Sequence, residues 1–222
     1  MENKQNKQLI FGIGTGRCGT VSLFNLLNLQ KNSKSTHESK PILPWNFSKK
    51  DIERKIYILL KRKEKFVSDE GFYYLPYTGF ILSKYPSAKF IVLKRNKNEV
   101  IKSYSKKTEG RNHWINHDGS IWKKDKIWDP SYPKYNVKSK EVALEKYWDD
   151  YYTTVNKLTK KFPKNIQVWD MKKGLNTEDG VKEILSFAGI PEKDQIVKIN
   201  IQENKIGVKK SFINRVLDRI KN

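Results

Sequence analysis

The sequence predicts an α/β fold in three layers, a parallel sheet with helices packed on both faces. Three observations lead there. Short apolar, β-branched runs alternate with helical stretches along most of the chain. The first of those runs breaks into a Gly-rich turn that opens directly into a helix. A chain of 222 residues fits one domain, residues 1–222, with room for a real core, and no second domain is visible.

Each element follows from its local pattern. Leu9–Ile13 is the first strand, and a helical pattern runs from Val21 to Leu29 after the Gly-rich turn. Ser35-Thr36-His37-Glu38 reads as the end of a short second strand, and 41–46 as a Pro- and Trp-containing loop. A polar helix is expected over 48–63, a third strand over 66–69, and a helix over 75–84. Ala88 to Arg95 contains the fourth strand, followed by a helix over 98–107. Periodicity then disappears from Thr108 to about residue 137, where Trp114, Trp122, Trp128, Tyr132 and Tyr135 gather; a loop that long in one domain is usually functional. A helix over 139–162, a strand over 166–169 and a helix over 177–188 complete the pattern.

In a parallel sheet, ligands bind beyond the carboxyl ends of the strands, where the Gly turn, His37, Glu38, Asp69 and Arg95 all fall in this reading. The turn Gly14-Thr15-Gly16-Arg17-Cys18-Gly19-Thr20 is built to receive an anion. Its glycines let successive N–H groups face one concavity, and the helix that follows adds the positive end of its dipole. The spacing from Gly14 to Gly19 matches the start of a nucleotide-triphosphatase P-loop, yet Thr20 and Val21 stand where Lys and Ser or Thr would continue it. Arg17 lies inside the loop instead.

An internal basic residue followed by Gly-Thr resembles the 5'-phosphosulfate loop of sulfotransferases that use 3'-phosphoadenosine 5'-phosphosulfate; here the stretch is Arg17-Cys18-Gly19-Thr20. Arg95 at a strand end, with Ser103 eight residues on, resembles that family's 3'-phosphate clamp. A forked guanidinium and a nearby hydroxyl suit a phosphate. Weaker similarity runs from Ile10 to about Gly189, through Tyr85-Pro86-Ser87-Ala88-Lys89 and Ile184 to Pro191. The resemblance implies a P-loop NTPase-like sulfotransferase fold. It also implies transfer of a sulfuryl group from 3'-phosphoadenosine 5'-phosphosulfate to an acceptor hydroxyl. By the same resemblance Thr15, Gly16, Arg17, Cys18, Gly19, Thr20 and Val21 hold the 5'-phosphosulfate end, Arg95 and Ser103 hold the 3'-phosphate, and no metal is needed. Lys209 and Lys210 are further candidates for the 3'-phosphate.

The base is chosen between branches of the family. The cytosolic branch places a histidine before Leu-Pro; this chain has Tyr74 before Leu75-Pro76, and an unperturbed phenol, with a pKa of about 10, is a poor base at neutral pH. Carbohydrate-type and several bacterial relatives use a Glu shortly after the second strand, which Glu38 resembles. Glu38 is therefore the expected base, with His37 and Asp69 in reserve, and a carbohydrate hydroxyl is the expected acceptor. Cys18 at a helix N-terminus also reads as a thiol nucleophile, whereas its position in the family's loop makes it a small residue in place of Ser. His113 and His117 receive no role, and the loop aromatics could stack on an acceptor or pack a core.

Composition sets the remaining bounds. A net charge of +21 from 45 Lys and Arg against 24 Asp and Glu favours anionic partners, but the basic residues are spread along the chain. A nucleic-acid-binding protein or a P-loop-like kinase is the competing reading; the first leaves the loop and clamp unexplained, and the second lacks its loop lysine. One cysteine allows no intrachain disulfide, and neither a signal peptide nor a membrane span is visible, so a cytoplasmic setting is expected. A disordered tail is expected over residues 1–7.

Overall fold

The computed structural model describes residues 7–201. Residues 1–6 of the expected tail, and Lys209 and Lys210, lie outside the described residues, whereas Lys7 reaches the Glu64 carbonyl at 3.0 Å.

Five strands, β1 (Gln8–Ile13), β2 (Ser33–His37), β3 (Phe66–Glu70), β4 (Lys89–Lys94) and β5 (Ile166–Asp170), form one sheet in the order β2-β3-β1-β4-β5. All pairings are parallel; Phe11 sits opposite Asp69 on one side and Phe90 on the other. Both faces are buried, which is why β1 and β4 read as largely apolar runs, while the equally buried β3 carries Ser68, Asp69 and Glu70. Leu9, Phe11, Ile13, Phe90 and Val92 enter one core, and Ile10, Ile91 and Leu93 the opposite one.

Helix α1 (Thr20–Asn28) packs on the second face together with α6 (Met171–Asn176) and α7 (Glu178–Phe187). The first face carries α2 (Lys49–Leu60), α3 (Thr78–Lys84), α4 (Lys97–Lys107) and α5 (Lys140–Lys161). The helix after β1 thus goes to one face and those after β3 and β4 to the other, opening a crevice at the carboxyl end of β1. Several helix starts are capped by side chains. Ser48, Asn96, Ser139 and Thr177 each accept a bond from a first-turn N–H.

Two differences from the sequence reading have physical causes. The helix expected over 75–84 begins as a 3-10 turn, Phe72–Tyr77, because Pro76 lacks the N–H that an α-helix would use; α3 proper starts at Thr78. The short α6 was not foreseen, since Asp170 closes β5 and caps it in one step, leaving no linker between them.

Candidate active site

The loop between β1 and α1 is held open from below by tyrosines. Tyr104 and Tyr147 both donate to the Thr15 carbonyl, at 2.6 and 3.0 Å, and the Tyr151 hydroxyl accepts from the Gly14 N–H at 3.1 Å while donating to Phe72 O. Gly16 has φ 81°, and a Cβ there would meet the Tyr104 hydroxyl at 2.0 Å, so the tyrosine support and the glycine require one another. Among the described residues the N–H groups of Arg17 and Gly19 meet no acceptor, and those of Thr20 and Val21 belong to the first turn of α1. Unpartnered donors gather at this turn, as a phosphate or sulfate would need.

Arg17, Arg95 and Ser103 come together across the crevice. Arg17 Nε donates to Ser103 Oγ at 3.0 Å, and Arg95 Nη1 donates to the Arg17 carbonyl at 3.0 Å. Glu99 holds Arg95 Nε at 2.7 Å and takes Lys172 at 3.0 Å on its other oxygen. Two loop residues turn away from this cluster. The side chains of Thr15 and Cys18 are fully buried, leaving only their backbone for a ligand. Burial pushes the Cys18 thiol up to about 12, against the pull of Arg95 and Arg17, so the thiol-nucleophile reading fails.

Beyond β2, Thr20 Oγ1 meets His37 Nε2 at 3.0 Å, and His37 Nδ1 lies 4.0 Å from Glu38 Oε2. Burial lowers the His37 pKa below that of a free imidazole, keeping it neutral near pH 7. Glu38 has φ 47° and is anchored by its N–H to Glu70 O at 2.9 Å. Burial, helped by the Asp69 charge, raises the Glu38 carboxyl to about 7 against the pull of Arg17, Lys55 and Lys107. That is the range in which a carboxylate can take a proton at neutral pH and release it afterwards.

Asp69 does something else. Its side chain has no exposure; Oδ2 accepts from Tyr74 at 2.7 Å and Tyr73 at 3.2 Å and pairs with Lys55 Nζ at 3.0 Å. Oδ1 accepts from Thr36 Oγ1 at 2.6 Å and the Ser39 N–H at 3.2 Å. Lys55 in turn reaches Pro41 O at 3.0 Å and also bonds Ser39 O. The pair therefore ties down both flanks of Glu38, and a carboxylate so fully engaged is an anchor rather than a free base. Tyr74, in the place of the cytosolic-branch histidine, has its phenol driven far above the ordinary tyrosine range by burial and Asp69.

Sequence reasoning missed Lys55 and the tyrosine support. Lys55 shares the stripe Ile52, Ile56, Leu59, and a lysine on an apolar helical stripe is a signal of a buried pair. Within the aperiodic segment, Trp114 is buried against Tyr104 and Tyr132, and Tyr132 stacks on Phe72 at 4.2 Å, so these two rings pack the core. Trp122, Trp128 and Tyr135 are half-buried. Among the described residues no group of three or more His, Cys, Asp or Glu side chains is arranged to hold a metal, and no helix is long and apolar enough to cross a membrane.

No family model matches the chain, and no curated protein does. Solved structures do. A sulfotransferase from Alicyclobacillus acidocaldarius aligns over 96% of this chain and 91% of its own, with TM-score 0.56 and 16% identity. The mouse sulfotransferase SULT7A1, solved in complex with PAP, aligns over 99% of this chain and 83% of its own, with TM-score 0.51 and 13% identity. The chain has a sulfotransferase-type fold.

Proposed function

We propose that this protein is a sulfotransferase that moves the sulfuryl group of 3'-phosphoadenosine 5'-phosphosulfate onto an acceptor hydroxyl, a carbohydrate hydroxyl first among candidates, without a metal and in the cytoplasm. The single observation that carries the reading is the meeting of Arg17, Arg95 and Ser103 at the Gly loop, beside a carboxyl raised to about 7. The PAP carried by one structural relative supports the choice of donor.

In this scheme the loop N–H groups from Gly16 to Val21 and the Thr20 hydroxyl hold the 5'-phosphate. Arg95 and Ser103 exchange their present partners, the Arg17 carbonyl and the Arg17 guanidinium, for the 3'-phosphate. Arg17, freed from Ser103, meets the charge that grows on the sulfuryl and leaving oxygens, where an aimed donor has its largest effect. The acceptor oxygen forms a bond to sulfur as the bridging S–O bond to the 5'-phosphate breaks, leaving adenosine 3',5'-bisphosphate. The hydroxyl proton passes to Glu38 and then to water. His37, neutral and bonded to Thr20, orients the loop side of the base.

The test is a single-turnover assay with sulfur-labelled donor and a panel of carbohydrate, phenolic and lipid hydroxyls, comparing the parent with Glu38→Gln, His37→Ala and Asp69→Asn. Glu38→Gln is expected to keep nucleotide binding and lose roughly 10²- to 10⁴-fold in transfer. A Glu38→Gln rate within a few-fold of the parent, beside a collapse in His37→Ala, would move the base to His37.

A further inference from the structure

A second concavity lies outside the crevice, between α2, the loop 40–46 and the segment 126–130, with a volume of about 520 Å³. That is within the size range of sites for small organic ligands. Its walls are apolar: Pro41, Ile42, Ile58 and Ile127 line it, and Ile127, a large aliphatic side chain, is 51% exposed among the described residues. Three cations, Lys40, Arg54 and Lys126, stand around it. All three are exposed, and among the described residues none is ion-paired with a carboxylate.

Among the described residues, no acidic side chain lines the groove. The three that adjoin its lining in sequence are turned to other work, and Glu53 pairs with Lys49 at 3.9 Å. Asp125 accepts the N–H groups of Ile127 and Trp128, each at 3.1 Å, and Asp129 holds His113 at 2.7 Å. The other groove on α2, about 360 Å³, is different in kind, for Glu53 lines it beside Lys61 and Lys84. The walls of the larger groove are also fixed. Trp45 N–H donates to Pro130 O at 2.8 Å, tying the loop to segment 126–130, and the buried Lys55 holds Pro41 O at 3.0 Å, tying the loop to α2. A ligand therefore meets a preformed surface and loses little to ordering it.

We propose that this groove binds a small anion with an apolar body, an aryl or alkyl group carrying one sulfate, sulfonate or carboxylate. The apolar part lies against Ile42, Ile58 and Ile127, and the anionic group sits among Lys40, Arg54 and Lys126. This assignment stands apart from the nucleotide reading, because no residue of the groove belongs to the Gly loop or to the Arg95 cluster.

The experiment titrates the full chain, labelled at the isoleucine methyls, with naphthalene-2-sulfonate under saturating adenosine 3',5'-bisphosphate and again without it. Saturable shifts of the Ile42, Ile58 and Ile127 methyls, with Ile13 beside the Gly loop unmoved, are expected in both series. Naphthalene-2-sulfonamide has the same shape and no charge, and is expected to bind about tenfold more weakly. The double variant Arg54→Gln/Lys126→Gln should bring the sulfonate down to the sulfonamide's affinity. Equal binding of the two naphthalenes, absence of a saturable shift, or a shift confined to Ile13 would overturn the proposal. So would a hexaglutamate peptide that moves the same methyls at lower concentration than the sulfonate, since the groove would then be a docking surface for acidic protein segments.

Discussion

Arg17 and Glu38 hold left-handed backbone conformations, φ 55° and 47°, that neither side chain favours. Among the described residues, the other two non-glycine residues with positive φ are Asn32 and Asn200, a type that tolerates that region. Holding Arg and Glu there costs roughly 1–3 kcal/mol each and persists only where neighbouring contacts over-determine it, which is how active sites place a functional group. If Arg17 meets developing charge and Arg95 a fixed phosphate, their alanine variants should separate. Arg17→Ala is expected to lose about 10²- to 10³-fold in turnover with donor affinity nearly kept, and Arg95→Ala to lose mainly affinity. Pre-steady-state rates beside calorimetric donor affinities check this. Glu38 also makes a pH-dependent prediction. Its folded pKa of about 7 lies above the ordinary 4.5, so its contribution favours folding below pH 4.5 and is lost as pH rises through 7. Glu38→Gln should therefore gain stability relative to the parent between pH 5 and pH 8, on the order of 1–3 kcal/mol, read by urea unfolding at both pH values. Arg17, Arg95 and Glu38 were legible as motif residues at the ends of strands. Their mutual contacts were not, because hydrogen bonds between residues 78 and 86 positions apart leave no local pattern.

The element that organises the surroundings of Glu38 is α2, which lies outside every motif. Through Lys55 it reaches across to Asp69 on β3 and to the backbone after β2, fixing Glu38 from two sides. Removing one member of a fully buried pair leaves the other uncompensated, so Lys55→Met should cost about 3–5 kcal/mol by chemical unfolding. The double variant Lys55→Met/Asp69→Asn should recover part of that loss; if the single and double variants unfold alike, the pair is not the anchor described. Helix bounds such as Ser48, Ser139 and Thr177 could be seen in advance because capping is a local event. The roles of Tyr104, Tyr147 and Tyr151 could not. A buried tyrosine on a helix reads as core, and only tertiary packing turns its hydroxyl toward the Thr15 carbonyl or the Gly14 N–H.

At the scale of the molecule, the parallel sheet and its layers followed from alternation of strands with helices, while strand order did not. The order β2-β3-β1-β4-β5 places β1 at the centre, so the Gly loop emerges beside the ends of β3 and β4. That placement brings four separate stretches, the Gly loop, His37-Glu38, Asp69 and Arg95, to the carboxyl-terminal edge of the sheet, at the ends of β1 to β4. The net charge of +21 surrounds this edge with a field that draws anions of every kind, so affinity for an anion alone says little about function. Two nucleotides, one with a 3'-phosphate and one without, say much more. Calorimetry of adenosine 3',5'-bisphosphate against ATP with Mg²⁺, at physiological ionic strength, therefore tests the central claim most directly. The account predicts saturable one-to-one binding of the bisphosphate, weakened at least about tenfold by Arg95→Ala, and much weaker binding of ATP. Equal affinity for the two nucleotides, or bisphosphate binding unchanged in Arg95→Ala, would contradict it.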